Sequence, residues 1–476
     1  MSEPMPSRSL AASADESADR PARIAKFIAE LTPTPPTPGK GAAEAINLLR
    51  RLFRNVDVRF ALRLWNGMSA LVGNASVAQR EEPFTLVMRH PDVVKTLVTG
   101  RDPLRLADAY FRGDMDIEGN FFAAVELKDR LREISLSWLD RLAALLGLLR
   151  MQAARASWPS LSSAFELMRA QYALARAPSV ASHSKIENRE AIAFHYDVSN
   201  EFYALWLDEA MVYSCAYFTD ASNDLRRAQQ DKLDHVCRKL LLHPGEHLLD
   251  VGCGWGALAI HAAKHYGVSV HGITLSERQL AMAQSRVAEA GLQARVKLEL
   301  LDYRDLRGDA RYDKVSSVGM FEHVGLKNLP VYFSTVQRLL KPGGLFLNHG
   351  ITHDVEGWEK TLSTEFINRY VFPDGQLDTI SNIQRVMEKA GFEIHDVESL
   401  RRHYALTLRH WVAGLERHHA QALKYVNEST YRVWRLYMAA SALEFEAGEL
   451  SVHQVLGVKR GGDHAQLPLT RCHLYE

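Results

Sequence analysis

The sequence predicts an α/β region on a parallel sheet, preceded by a small α+β domain, and three observations carry that prediction. From Gly245 onward, strand-like runs such as "HLLDVG", "VSVHGIT", "VKLELLD" and "YDKVSSVG" alternate with helix-like runs such as "SERQLAMAQSRVAEAG". That alternation is the pattern of a parallel sheet with helices on both faces. The first of these strands ends in the glycine-rich "LLDVGCGWG". Earlier, the stretch from Ile46 to about Glu133 mixes "PFTLVMRH" with "PDVVKTLVTG" and the turn-like "RGDMDIEGN", which reads as a small α+β domain without visible chemistry.

In chain order, residues 1–45 are rich in Ser, Ala, Pro and charge and include "LTPTPPTPGK". Such a composition buries too little apolar surface to offset ordering, so a disordered tail is expected. The small domain is taken as 46–150, a helical linker as 151–190 and the catalytic domain as 191–476. Between the first two lies "SWLDRLAALLGLLRMQAARASW", with Leu139, Leu142, Leu145, Leu146 and Leu149 at helical spacing among Arg141, Arg150 and Arg155. Two readings stand for it: a helix packed between domains, or a basic amphipathic helix on anionic lipid.

Lysine plus arginine equals aspartate plus glutamate at 57 each, a balance that predicts no nucleic-acid partner. The four cysteines, Cys215, Cys237, Cys253 and Cys472, lack zinc-site pairing and are too few for a disulfide framework, which suggests a reducing cytoplasm. No secretory signal is visible, and no run reaches the roughly 18 apolar residues of a membrane span. Contact with lipid is therefore expected from the surface.

Gly252, Gly254 and Gly256 form a GxGxG turn at the end of the first strand, where glycines let the backbone turn tightly and approach a ligand beside a helix N-terminus. The dinucleotide fingerprint wants GxGxxG and an acid about 20 residues later. Here the spacing is one short and the second strand ends in "HGITLS". Asp250, just before the glycines, suits a ligand carrying an ammonium group, which favours S-adenosylmethionine over NAD. Thr274, Ser276 and Gln279 in "ITLSERQ" offer neutral groups to a ribose, and Asp302 and Tyr303 in "LLDYRDL" stand ready for adenine.

With "AIAFHYDVSNEFYALWLDEAMVYSCAYF" before this domain and "GMFEHVG", "LNHGIT" and "HYALTLRHW" after it, the sequence resembles the cyclopropane-fatty-acyl-phospholipid synthases and their mycolic acid relatives. The resemblance covers roughly residues 185 to 460. It implies a class I methyltransferase (Rossmann-like) sheet with a helical cap, S-adenosylmethionine as cofactor, and an unsaturated phospholipid acyl chain as substrate. It also implies a bicarbonate ion held by positions matching Cys215, Glu322, His349, Ile351 and Tyr404, and cofactor contacts at Tyr213 and Ser214.

The chemistry is consistent with those assignments. An isolated alkene is a poor nucleophile, so a sulfonium methyl must be held in line with it and water excluded. Attack leaves a carbocation, which the faces of Tyr213, Tyr217 and Phe218 are expected to stabilise by ~2 kcal/mol or more each when desolvated. A small captive base then removes a proton so that the ring closes, and either Glu322 or the bicarbonate should carry a shared proton. His410, His418 and His419 on one helix read as a solvated polar face, with no metal. Where the family often has a cysteine in a segment like "YMAASALEF", this chain has Ser441, so Cys215 is read as a liner of the site and no catalytic thiol is expected near the C-terminus.

The expectation is a cytoplasmic enzyme, peripheral at the inner face of the membrane, that forms cyclopropane fatty acids, with a homodimer allowed through the N-terminal domain. Two alternatives stand beside it: a C-methyltransferase giving a methyl-branched or methylene lipid, and a lipid-binding protein without turnover.

Overall fold

The computed structural model describes residues 41–73, 84–99, 103–133, 146–148, 198–357, 362–371, 375–461 and 467–475. Of the expected tail 1–45, residues 1–40 lie outside the described residues, as do the leucine-rich helix apart from 146–148 and the linker 151–190; the tail's last residues instead open a helix that buries Ala42 and Ala45. The chain divides into two compact units, the smaller holding the N-terminal elements together with Asn427–Ala440.

The smaller unit runs α1 (Ala42–Leu52), β1 (Arg59–Leu64), β2 (Ser69–Gly73), β3 (Thr85–Met88), α2 (Pro91–Thr99), α3 (Pro103–Arg112), β4 (Met115–Glu118) and α4 (Phe121–Glu133). Its sheet has the order β2-β1-β3-β4. Strict alternation in β1 buries Phe60, Leu62 and Leu64, and Phe60 meets Phe53 edge-on and Phe84 face-on, both at 5.2 Å. Arg432 ties the 427–440 stretch into this unit, donating to Tyr110 O at 2.9 Å and Met115 O at 3.1 Å and pairing with Asp116 at 3.0 Å.

The larger unit continues with α5 (Asn200–Ala204), α6 (Leu225–Lys239), β5 (His247–Val251), α7 (Ala257–His265), β6 (Ser269–Thr274), α8 (Glu277–Glu289), β7 (Val296–Leu300), β8 (Tyr312–Val318), α9 (Leu329–Leu339) and β9 (Leu340–His353). It closes with α10 (Leu362–Tyr370), α11 (Ile380–Lys389), β10 (Phe392–Ser399), α12 (Arg401–Arg417), α13 (His419–Ala422), α14 (Glu428–Ala447) and β11 (Leu450–Lys459). The boundary between the units falls inside α14.

The seven strands order β10-β11-β9-β8-β5-β6-β7. β5 to β9 pair in parallel, whereas β11 runs antiparallel to both β9 and β10. The parallel sheet expected from sequence thus has one reversed strand, whose direction the strand-and-helix alternation does not encode. Side chains alternate across the sheet. Leu248, Leu345 and Leu347 enter one core with α6, α7 and α8, while Leu249, Val251 and Phe346 enter the other with α9 and α11. Asp250 and His349 share the parity of the first set, so both face the α6 layer. Asp224 and Ser276 start α6 and α8 by accepting the backbone N–H of Arg227 and Gln279, as good N-caps do.

Candidate active site

β5 has β6 on one side and β8 on the other, so the strand order reverses beside it. In open α/β sheets the crevice at such a point is where ligands bind, and the glycine turn lies there. Gly252, Gly254 and Gly256 take φ of 81°, 53° and 80°, a region that side chains disfavour. The N–H groups of Gly252 and Cys253 both donate to Ile273 O at 2.9 Å, which binds the turn to β6. No atom lies within 4 Å of a Cβ placed on Gly254, and both Gly252 and Gly254 line an open cavity.

Of the residues expected at a cofactor, Tyr213, Ser214, Asp250, Gly252, Gly254, Thr274, Gln279, Asp302 and Tyr303 line that cavity. Gly256 and Ser276 act one step back. Gly256 is the N-cap of α7, and the Ser276 hydroxyl accepts from Gln279 N at 3.2 Å. Thr274 Oγ1 donates to Gln279 Oε1 at 2.9 Å, which presents the Gln279 amide at the end of β6. Asp302 is held bidentately by Arg304 at 2.8 and 2.6 Å, so its carboxylate is already satisfied. Tyr303 Oη is buried without a hydrogen-bond partner among the described residues. Burial pushes the Asp250 carboxyl up to about 6, against the pull of its Ser316 hydrogen bond and the Lys232 charge.

The five residues expected around an anion fall into two groups. A 3₁₀ turn (Phe321–His323) after β8 carries Glu322, whose Oε1 accepts from Ile351 N at 2.8 Å. Its Oε2 is buried and unpartnered among the described residues, and burial raises its pKa to about 7 despite the Ile351 N–H. Gly350 makes this approach possible: a Cβ there would stand 1.8 Å from Phe321 Cε1. His349, two residues before Ile351 on β9, is cross-strand partner to Gln454, whose Nε2 lies 3.1 Å from His349 Nδ1. Burial lowers His349 to about 3, so the ring is neutral.

Cys215 and the backbone of Tyr404 share the carbonyl of Leu400. That oxygen accepts from Tyr404 N at 3.0 Å and lies 3.8 Å from Cys215 Sγ. Sγ also lies 3.2 Å from Ala216 O, and burial raises the thiol pKa far above its usual range. Cys215 is therefore a buried thiol rather than an activated nucleophile. None of the five residues lines the cavity beside the glycine turn.

The three aromatic rings expected to face a cation diverge. Tyr213 lines the cavity and packs against Tyr203, Trp206 and Trp411 at 5.5, 5.6 and 5.2 Å. Tyr217 is sandwiched between His235 at 4.2 Å and His403 at 4.8 Å, so both of its faces are occupied. Phe218 stacks on His410 at 5.6 Å, and its N–H donates to His403 Nδ1 at 2.9 Å. Of the three rings expected to face a cation, Tyr213 is the one that lines the cavity. His410 is correspondingly not on a free solvated face, and His418 Nδ1 donates to Gly414 O at 2.9 Å.

Three residues not anticipated from sequence matter here. Arg286 on α8 donates to Ala210 O at 2.7 Å and Trp255 O at 3.1 Å, clasping the segment before Met211 to the glycine turn. Gln454 orients His349, and Lys232 reaches into the cavity wall. Each sits on an element whose partner is distant in sequence, and an Arg, Gln or Lys on a helix or strand gives no local sign of such a partner.

A mostly parallel sheet of this order, with a glycine turn at its switch point, is the fold of class I methyltransferases. A crystal structure of mycolic acid cyclopropane synthase CmaA1 complexed with SAH and CTAB superposes with a TM-score of 0.54 at 35% identity, covering 57% of this chain and 98% of that one. The chain belongs to the mycolic acid cyclopropane synthetase family, whose profile matches residues 183–455. A probable fatty acid methyltransferase of Pseudomonas putida is 42% identical over 89% of this chain and 98% of its own length. The cyclopropane-fatty-acyl-phospholipid synthase of Escherichia coli K12 is 41% identical over 56% of this chain and 68% of its own.

Proposed function

We propose that this protein transfers the methyl carbon of S-adenosylmethionine to the cis double bond of an unsaturated phospholipid acyl chain and closes a cyclopropane ring. One observation carries the reading: Glu322 is buried, with one oxygen held by Ile351 N and the other unpartnered among the described residues. A carboxyl so placed is suited to share a proton with a ligand in a dry site. The family match supports it, as does the relative that binds SAH and CTAB, since SAH is the product of methyl donation and CTAB carries a long alkyl tail.

The residues at the glycine turn fit the cofactor, because the cavity combines an open glycine cradle, the buried Asp250 carboxyl and the free Tyr303 hydroxyl. When bound, S-adenosylmethionine supplies a sulfonium methyl. Transfer of that methyl to an alkene carbon, with the cofactor leaving as the thioether, would place positive charge on the neighbouring acyl carbon. Tyr213 presents an aromatic wall on that side, a favourable environment for a cation. Glu322, positioned by the N–H of Ile351, and the His349 ring are the groups to hold a small base such as bicarbonate, with Cys215, Ile351 and Tyr404 lining its pocket. Removal of a proton from the delivered methyl leaves the C–H electron pair to close the ring.

Among the described residues no helix is long and apolar enough to cross a membrane. In our reading the protein works at the inner membrane surface, where its acyl-chain substrate lies, and the smaller unit docks on the bilayer and pairs subunits. A methyl-branched product is the second reading, favoured by the fatty acid methyltransferase that matches nearly the whole chain. The test is to incubate purified protein with S-adenosylmethionine and liposomes of monounsaturated phospholipid, then analyse the fatty acids by mass spectrometry. A cyclopropane ring supports the proposal; a saturated methyl branch, or no change, overturns it.

A further inference from the structure

Lys232 stands on α6 in the cavity wall, only 3% exposed. Its Nζ donates to Ser214 Oγ at 3.0 Å, and among the described residues no carboxylate oxygen comes within ion-pair distance of it. An ammonium has three N–H donors, so two remain to be satisfied. A buried charge without a close counter-ion is costly. Desolvation accordingly lowers the pKa of Lys232 to about 8, with the nearby Asp208, Cys215 and Asp250 pulling the other way. At neutral pH the group is still mostly protonated.

Across the same cavity, the Asp250 carboxyl has Ser316 Oγ as its side-chain partner at 2.9 Å. A buried anion-former and a buried cation thus line one space without forming a salt bridge to each other. Such a pair is complementary to a zwitterion, an α-amino acid end whose ammonium meets the carboxylate and whose carboxylate meets the ammonium. Ser214 strengthens the match. Its oxygen accepts from Lys232, which leaves its own proton free to donate beside Nζ.

We infer that Lys232, with the Ser214 hydroxyl, binds the α-carboxylate of the methionyl end of the cofactor while Asp250 takes the ammonium. The inference rests on the S-adenosylmethionine reading above and deepens it. Nothing in the local sequence marks this lysine: in "RRAQQDKLDHVCRKL" it is one of several basic residues on a polar helix.

The test is calorimetric titration of the full chain with SAH and with its decarboxylated analogue, which keeps the adenosine, the thioether and the amine. In wild type, SAH should bind more tightly than the analogue. Lys232→Met should weaken SAH roughly 10- to 100-fold, the range for a hydrogen bond to a charged group, and leave the analogue within about twofold. Lys232→Gln, which keeps a donor for Ser214, should show the same selective loss, and circular dichroism checks that both variants fold. Equal weakening of both ligands makes Lys232 a structural support and overturns the assignment, as does unchanged SAH affinity. A wild-type protein that binds neither ligand overturns the cofactor reading itself and this inference with it.

Discussion

Glu322 and Ile351 are joined across the ends of two neighbouring strands, Ile351 N donating to Glu322 Oε1 at 2.8 Å while the other carboxyl oxygen stays buried and unpartnered among the described residues. Burial has raised this carboxyl from 4.5 to about 7. Glu322→Gln keeps the acceptor for Ile351 but cannot exchange a proton, so turnover should fall by about 100-fold or more while SAH affinity is retained. The sign of the stability effect follows from linkage. A raised carboxyl pKa contributes stability that is fully present below about 4.5 and is lost as pH rises through about 7. The variant should therefore match wild type near pH 4 and gain on it by pH 8, by up to about 3 kcal/mol. Chemical denaturation at the two pH values measures this, and a variant with normal turnover removes Glu322 from the chemistry.

Cys215 lies against two carbonyl oxygens, Ala216 O at 3.2 Å and Leu400 O at 3.8 Å. A serine hydroxyl at that place has ready acceptors, so Cys215→Ser should fold, at a cost of about 1–2 kcal/mol for exchanging a thiol for a more polar group. Turnover should stay within about tenfold of wild type, because the buried thiol is held protonated and is no nucleophile. Complete loss of turnover in a variant that still binds SAH would show that the sulfur takes part in the reaction.

What the sequence made legible was local. Asp250 and the three glycines sit within seven consecutive residues, and their spacing alone set the turn, the strand end and the helix that follows. Glu322, His349 and Ile351 were legible only through resemblance, since a strand-end acid or histidine has many ordinary explanations. Contacts between distant segments stayed hidden. Tyr213 and Tyr217 occupy one short aromatic stretch and look equivalent, yet Tyr217 is covered by His235 and His403 from two separate helices. The reversed direction of β11 was invisible for the same reason, and with it the pairing of Gln454 to His349.

Arg286 holds Ala210 O and Trp255 O with one guanidinium, so the segment over the cavity and the glycine turn beneath it share an anchor. Arg286→Met keeps the aliphatic stem and removes these bonds, and hydrogen bonds to charged groups contribute about 1.5–3 kcal/mol each. SAH affinity should drop by about tenfold or more, and amide hydrogen exchange should accelerate across residues 209–218. An unchanged exchange pattern would mean that the segment is held by its other contacts, among them Asp208 with Val212 N at 2.8 Å.

Gln454 decides which nitrogen of His349 carries the proton. The ring is neutral, lowered to about 3 mainly by burial, and its Nδ1 lies 3.1 Å from the Gln454 amide nitrogen. An amide N–H donating there makes Nδ1 the acceptor and leaves the proton on Nε2, available to the anion proposed beside Glu322. Gln454→Leu removes the donor and lets both tautomers populate, so kcat should fall by roughly tenfold with little change in the KM for phospholipid liposomes. Gln454→Glu offers an acceptor instead, which draws the proton to Nδ1, turns Nε2 into a lone pair and should cost more than the leucine variant. The imidazole nitrogen shifts in an NMR spectrum of protein labelled at histidine report the tautomer directly. Wild-type kcat in a Gln454→Glu protein whose tautomer has inverted would separate His349 from anion binding altogether.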